Sequence, residues 1–76
     1  MRSVASIAHQ VLREVEWRMA RKGLPRIRIR AAQDLVEWIK AEEMSTIETL
    51  QYKLDGIVEL TLEESFPPGK YSLLEG

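Results

Sequence analysis

The chain has no cysteine, one histidine and one phenylalanine among its 76 residues. The lack of cysteine excludes a disulfide scaffold, a zinc ribbon and a thiol redox motif. With a single histidine and no metal-ligand spacing, we expect neither a metal nor another cofactor. Below about 80 residues a core seldom contributes more than about 3–5 kcal/mol. Stability must therefore come from tight packing or from oligomerisation.

Long apolar runs are also missing, since none approaches the roughly 20 residues that span a bilayer. The first eight residues resemble the start of a signal peptide, but His9, Gln10 and Arg13 interrupt the apolar region too early. We therefore expect no membrane segment and a soluble cytoplasmic protein. At this length residues 1–76 should form a single domain.

The residues needed for catalysis are scarce. His9 is the only candidate general base for chemistry near neutral pH, and no partner for it is visible in the sequence. No serine lies in a nucleophile elbow, and no glycine-rich phosphate loop is present. The adjacent acids Glu42-Glu43 and Glu63-Glu64 point in different directions and are expected to be solvated. We predict that the protein is not an enzyme.

Charge is present in both signs but is unevenly placed. Up to Arg30, eight basic residues accompany two acids, which gives +6. From Ala31 onward, three lysines accompany ten acids, which gives −7, and the whole chain carries −1. Such asymmetry indicates either a charged partner or pairing between the two halves.

Hydrophobic spacing predicts six elements. Apolar residues three and four apart predict helices over 3–22, 32–43 and from Ser45 to residue 54, with Trp38 mostly in the core. Gly23 and Asp55-Gly56 are the expected ends of the first and third helices. Met44-Ser45 is expected to be a turn, with Ser45 and Glu48 forming a capping box. Alternation predicts strands over 26–30, 58–63 and 71–74, the last two joined as a hairpin.

The predicted class is therefore α+β, with the order α-β-α-α-β-β. This order resembles that of winged-helix domains, in which the second and third helices would form the helix-turn-helix and residues 58–74 the wing. A ribbon-helix-helix arrangement, with residues 26–30 as the ribbon, is the alternative. It requires the third helix to continue through Asp55-Gly56.

Two features are candidates for partner binding. The first strand should place Arg26, Arg28 and Arg30 in a row, either along an anionic ligand or paired with Glu59 and Glu63 of the next predicted strand. On helix 1, Trp17 falls opposite the apolar stripe, with Arg13 and Arg21 four residues away on either side. Tryptophan and arginine are enriched in interface hot spots. The alternative for Trp17 is that the C-terminal hairpin covers it.

These features predict a small regulator, adaptor or inhibitor that acts by stoichiometric protein contact, with an acidic protein surface, a second copy of the chain, or both as its partner. The alternative is a winged-helix-like, nucleic-acid-binding transcriptional regulator that uses either the basic N-terminal half or the third helix. In a winged helix, the third helix would present a DNA-binding face of its own. The surrounding acids make that face unfavourable for DNA. The residues of this face are Thr46, Thr49, Tyr52 and Lys53.

Overall fold

The structure is a computed structural model that describes residues 3–76. Within this range the predicted α-β-α-α-β-β order is confirmed. Three helices and three strands follow one another along the chain as α1 (Val4–Lys22), β1 (Arg26–Ala31), α2 (Gln33–Glu42), α3 (Met44–Leu54), β2 (Ile57–Leu62) and β3 (Tyr71–Glu75).

The sheet has the strand order β2-β1-β3, with β1 in the centre. β1 runs parallel to β2 and antiparallel to β3. Parallel neighbours require a crossover connection, and α2 and α3 together supply it. The predicted C-terminal hairpin is therefore wrong, because β2 and β3 lie on opposite sides of β1.

The segment of residues 63–70 explains this difference, because it is longer than the two to five residues of most hairpin loops. It crosses the C-terminal end of β1, where the Glu63 amide donates to the Ala31 carbonyl and the Ala32 amide donates to the Lys70 carbonyl. The Gly69 amide donates to Asp34 Oδ1 at 3.1 Å. Without a hairpin there is no wing, so the resemblance to winged-helix domains is not confirmed.

The ribbon-helix-helix alternative is not supported either. Both edges of β1 are hydrogen-bonded within the chain, which leaves no free edge for a ribbon between copies. α3 ends at Leu54, followed by Asp55 in the left-handed region with φ of 51°. Gly23 ends α1 in the same conformation, with φ of 62°. Both helix ends thus lie where the sequence predicts them.

The three helices pack on one face of the sheet. Ile27 and Ile29 on β1 point to this face and are fully buried against α1 and α2 residues such as Val15 and Leu35. Trp38 is half-buried against the same core. No helix covers the opposite face of the sheet in the described part of the chain. The arginines of β1 lie on that open face.

The junction between α2 and α3 is sharper than predicted. α3 begins at Met44, so the expected turn at Met44-Ser45 is absent and Ser45 lies inside the helix. The predicted capping box is wrong, because the Ser45 carbonyl accepts a bond from Thr49 and Glu43 occupies the cap position. Glu43 ends α2 as well, with its amide donating to the Ile39 carbonyl.

Candidate functional site

The outward face of α1 carries a ridge of large side chains, as predicted. Trp17 is 57% exposed, and the Arg21 guanidinium lies over its ring, 5.2 Å from the ring centre. Arg13 lies one turn before Trp17 and is also exposed. Within residues 3–76, neither arginine forms an ion pair with a carboxylate. We call Arg13, Trp17 and Arg21 the basic ridge.

The C-terminal strand does not cover Trp17 but packs along a different side of α1. Arg18 and Lys22 both reach Glu75 on β3, at 3.1 and 2.9 Å, and Arg18 also contacts Glu14. Lys22 and then Arg18 hold the pKa of the Glu75 carboxyl below its ordinary value. The positive charge on this side of α1 is thus compensated inside the chain, whereas that of the basic ridge is not.

The arginine row of β1 is also compensated. Arg26 and Arg28 both reach Glu59 of the parallel neighbour β2, at 3.3 and 3.5 Å. Arg30 donates to Glu63, and this bond, with a second from Ser65, lowers the pKa of the Glu63 carboxyl. Of the two alternatives that the sequence leaves open for this row, the structure has the pairing with Glu59 and Glu63. Such exposed pairs stabilise the fold only weakly, but they reduce the charge offered to a ligand.

The predicted nucleic-acid face of α3 is largely occupied by contacts within the chain. Thr46 donates to Glu43 at 2.5 Å, Thr49 donates to the Ser45 carbonyl, and Lys53 lies 2.9 Å from Glu16. Only Tyr52 of this set projects freely, at 93% exposure. Three of the four side chains would have to exchange internal bonds for contacts with nucleic acid.

Tyr52 instead lies at the centre of an acidic surface that the sequence reasoning did not single out. Glu48 lies one turn before it and Asp55 follows it by three residues, so all three share the outer face of α3. All three are exposed, and no described residue forms an ion pair with Glu48 or Asp55. We call Glu48, Tyr52 and Asp55 the acidic ridge. Its helical spacing is visible in the sequence, although from the sequence these acids indicate only that the face is unfavourable for DNA.

A groove of about 700 Å³ lies between α1 and α3, with Leu12 and Leu50 among its lining residues. At one end, His9 Nε2 lies 3.0 Å from Glu43 Oε1, and the His9 ring packs edge-on against Trp38. Bonds from Thr46 and then His9 lower the pKa of the Glu43 carboxyl. Glu43 is therefore engaged rather than merely solvated, contrary to expectation. No local sequence pattern indicates this contact, because its partners are 34 residues apart.

The groove does not contain the arrangement of a nucleophilic enzyme. That chemistry requires a hydroxyl bonded to a base, with a third group orienting the base. Here the Thr46 hydroxyl donates to Glu43 and not to His9. Across the described residues, no three His, Asp or Glu side chains are grouped to hold a metal ion.

Two comparisons with known proteins found no match for this chain. No protein-family model matches the sequence, and no curated protein matches it. Among the helices of residues 3–76, none is both long enough and apolar enough to cross a membrane.

Proposed function

We propose that the protein is a small non-enzymatic binding domain, a regulator, adaptor or inhibitor, that acts by stoichiometric contact through the basic ridge of α1. The observation that carries this proposal is the exposure of Trp17 between two arginines that lack carboxylate partners among the described residues. An exposed aromatic with adjacent arginines has the composition of an interface hot spot. Its positive charge selects an acidic protein surface as the partner.

The other predicted binding residues have a smaller part in this proposal. Arg26, Arg28 and Arg30 lie on the open face of the sheet, but each already contacts a glutamate of the same chain. A partner that reached them would have to compete with those contacts. We therefore assign first contact to the basic ridge and treat the β1 row as a secondary surface. A location in the cytoplasm stays a prediction from the sequence.

Capture from the native source tests the proposal. The wild-type chain, Arg13→Glu/Arg21→Glu and Lys40→Glu/Lys70→Glu are immobilised in parallel, and retained proteins are quantified by mass spectrometry. The lysine variant carries the same change in charge outside the ridge. We expect a protein that wild type and the lysine variant retain equally and the arginine variant retains at least about tenfold less. Equal retention by all three would contradict the proposal.

Fluorescence shows whether the ridge itself makes the contact. In Trp38→Phe, Trp17 is the only tryptophan, so its emission reports on the basic ridge alone. Adding the captured protein should shift this emission, because the exposed indole would leave water. A parallel titration with mixed-sequence DNA and RNA at two salt concentrations tests the nucleic-acid alternative. Tight binding that weakens steeply with salt would favour that alternative instead.

A further inference from the structure

The two ridges of this protein match each other in charge and spacing. Arg13 and Arg21 are eight residues apart on α1, which corresponds to about 12 Å at 1.5 Å per residue. Glu48 and Asp55 are seven residues apart along α3 and its end, or about 10.5 Å. Each pair has an exposed aromatic between its charges, Trp17 in one ridge and Tyr52 in the other.

The chain does not satisfy these four charges itself. Most other cations of α1 and β1 contact a carboxylate of the same chain, as Lys22 does Glu75 and Arg30 does Glu63. Among residues 3–76, neither ridge pairs with the other or with any other opposite charge. An exposed aromatic bordered by uncompensated charge is expected where a partner completes the surface.

We propose that the partner of the basic ridge is the acidic ridge of a second copy of this chain. This inference rests on the proposed function and names its partner. Both ridges lie on the helical layer, where Arg13 of the basic ridge lines the groove between α1 and α3, and where Lys53 of α3 pairs with Glu16 of α1 at 2.9 Å. A two-fold axis through that groove would form both ridge contacts at once, in an isologous dimer.

The size of the chain supports this arrangement. A standard interface buries about 800 Å² from each partner, which is roughly one sixth of the 4894 Å² surface of the chain. In this dimer, the two ridge contacts and the groove between them would form a central patch of aromatic and oppositely charged side chains. Oligomerisation is also a common means by which domains this small, without disulfides or metals, gain stability.

Charge exchange between the ridges tests the proposal by sedimentation equilibrium of the full chain. Wild type should form dimers. Arg13→Glu/Arg21→Glu should be monomeric because two acidic ridges meet, and Glu48→Lys/Asp55→Lys should be monomeric because two basic ridges meet. An equimolar mixture of these two variants should form heterodimers, since both contacts are again between opposite charges. The variant carrying all four changes should form homodimers.

Matched controls separate the ridge contact from net charge. Lys40→Glu/Lys70→Glu and Glu42→Lys/Glu64→Lys repeat the same changes in charge at exposed positions outside the ridges, and both should dimerise like wild type. Circular dichroism verifies that each variant folds. If the Asp55→Lys change prevents folding because position 55 has a left-handed backbone conformation, the variant Glu48→Lys/Asp55→Asn is measured instead. Its dissociation constant should be at least about tenfold above that of wild type.

Several outcomes would overturn the inference. A wild-type chain that is monomeric at every attainable concentration would do so, as would a dimer that persists in both ridge variants or a mixture that fails to form heterodimers. These outcomes differ from failure of the proposed function. A monomeric wild type that still captures another protein through Arg13 and Arg21 would refute the second copy as partner and leave the binding function in place.

Discussion

Replacing Trp17 by alanine should weaken association far more than it weakens folding. A tryptophan side chain buries about 150–250 Å² when fully covered. Since 57% of Trp17 is exposed, a partner can cover roughly 85–140 Å² of it. At about 25 cal/mol per Å², this area contributes about 2–3.5 kcal/mol, or a 30- to 300-fold change in the dissociation constant. A two-fold dimer loses this contact twice, so 30-fold is the lower bound.

The cost to folding should be smaller. Within the chain, Trp17 stacks with Arg21, a contact that contributes about 0.5–1 kcal/mol at an exposed site. Alanine also favours the helix by about 0.5 kcal/mol relative to tryptophan, which offsets part of this loss. The part of Trp17 already covered in the chain, roughly 65–110 Å², is lost as well, so we expect Trp17→Ala to lower the free energy of unfolding by about 1–2 kcal/mol.

Trp38→Ala is the matched control, because Trp38 is the other tryptophan and packs against the core. Its removal should lower the free energy of unfolding by about 2–4 kcal/mol. Urea denaturation, at concentrations where the chain is monomeric, measures unfolding, and sedimentation equilibrium measures association. The reasoning fails if Trp17→Ala destabilises the fold as much as Trp38→Ala does. It also fails if the dissociation constant of Trp17→Ala stays within about threefold of wild type.

Three further predictions concern the fold itself. Ile29→Val, in the centre of the sheet, should lower the free energy of unfolding by about 0.5–1.5 kcal/mol in urea denaturation. Gly23→Ala should lower it by about 1 kcal/mol, because no atom opposes the added Cβ and the cost is the left-handed conformation alone. The pKa values of Glu43, Glu63 and Glu75 lie below the ordinary 4.5, so their contributions to stability are present above pH 4.5 and are lost as pH falls through the lowered values. The melting temperature should therefore fall on acidification below about pH 4.5, and the fall should be shallower when all three are glutamine.

Local features of the fold could be predicted because they depend on neighbouring residues. The spacing of Val11, Val15 and Met19 places one stripe of α1 in the core, and the same spacing places Trp17 on the opposite side. The alternation of β1 assigns Ile27 to the core and its arginines to the open face. Both assignments follow from the period of one element and need no knowledge of its neighbours.

Features that depend on distant residues could not be obtained in this way. The predicted capping box at Ser45 does not form because α3 begins earlier, directly after Glu43, whose carboxylate is bound by Thr46 and by His9 from another helix. The pairing of β3 was decided by where residues 63–70 cross the sheet. Phe66 in that segment lies beneath both Arg30 and Lys70, with cation-to-ring distances of 5.6 and 4.7 Å. The contacts of His9 with Glu43 and of Arg30 with Phe66 join segments that are distant in the sequence and meet only in the folded chain.

The order of the strands explains why the charges of the basic ridge and of the acidic ridge are not paired within the chain. β1 lies between two strands from the acidic part of the chain, so it brings its arginines to Glu59, and α1 brings Arg18 and Lys22 to Glu75. Most ion pairs of the described residues therefore form on the sheet or on the side of α1 that packs near it, whereas Lys53–Glu16 and His9–Glu43 join helices. The outward faces of α1 and α3 point away from the sheet, where no strand can bring opposite charges together. The basic ridge of α1 and the acidic ridge of α3 therefore keep unpaired charges among the described residues, and in the proposed dimer each ridge meets the opposite charges of a second copy.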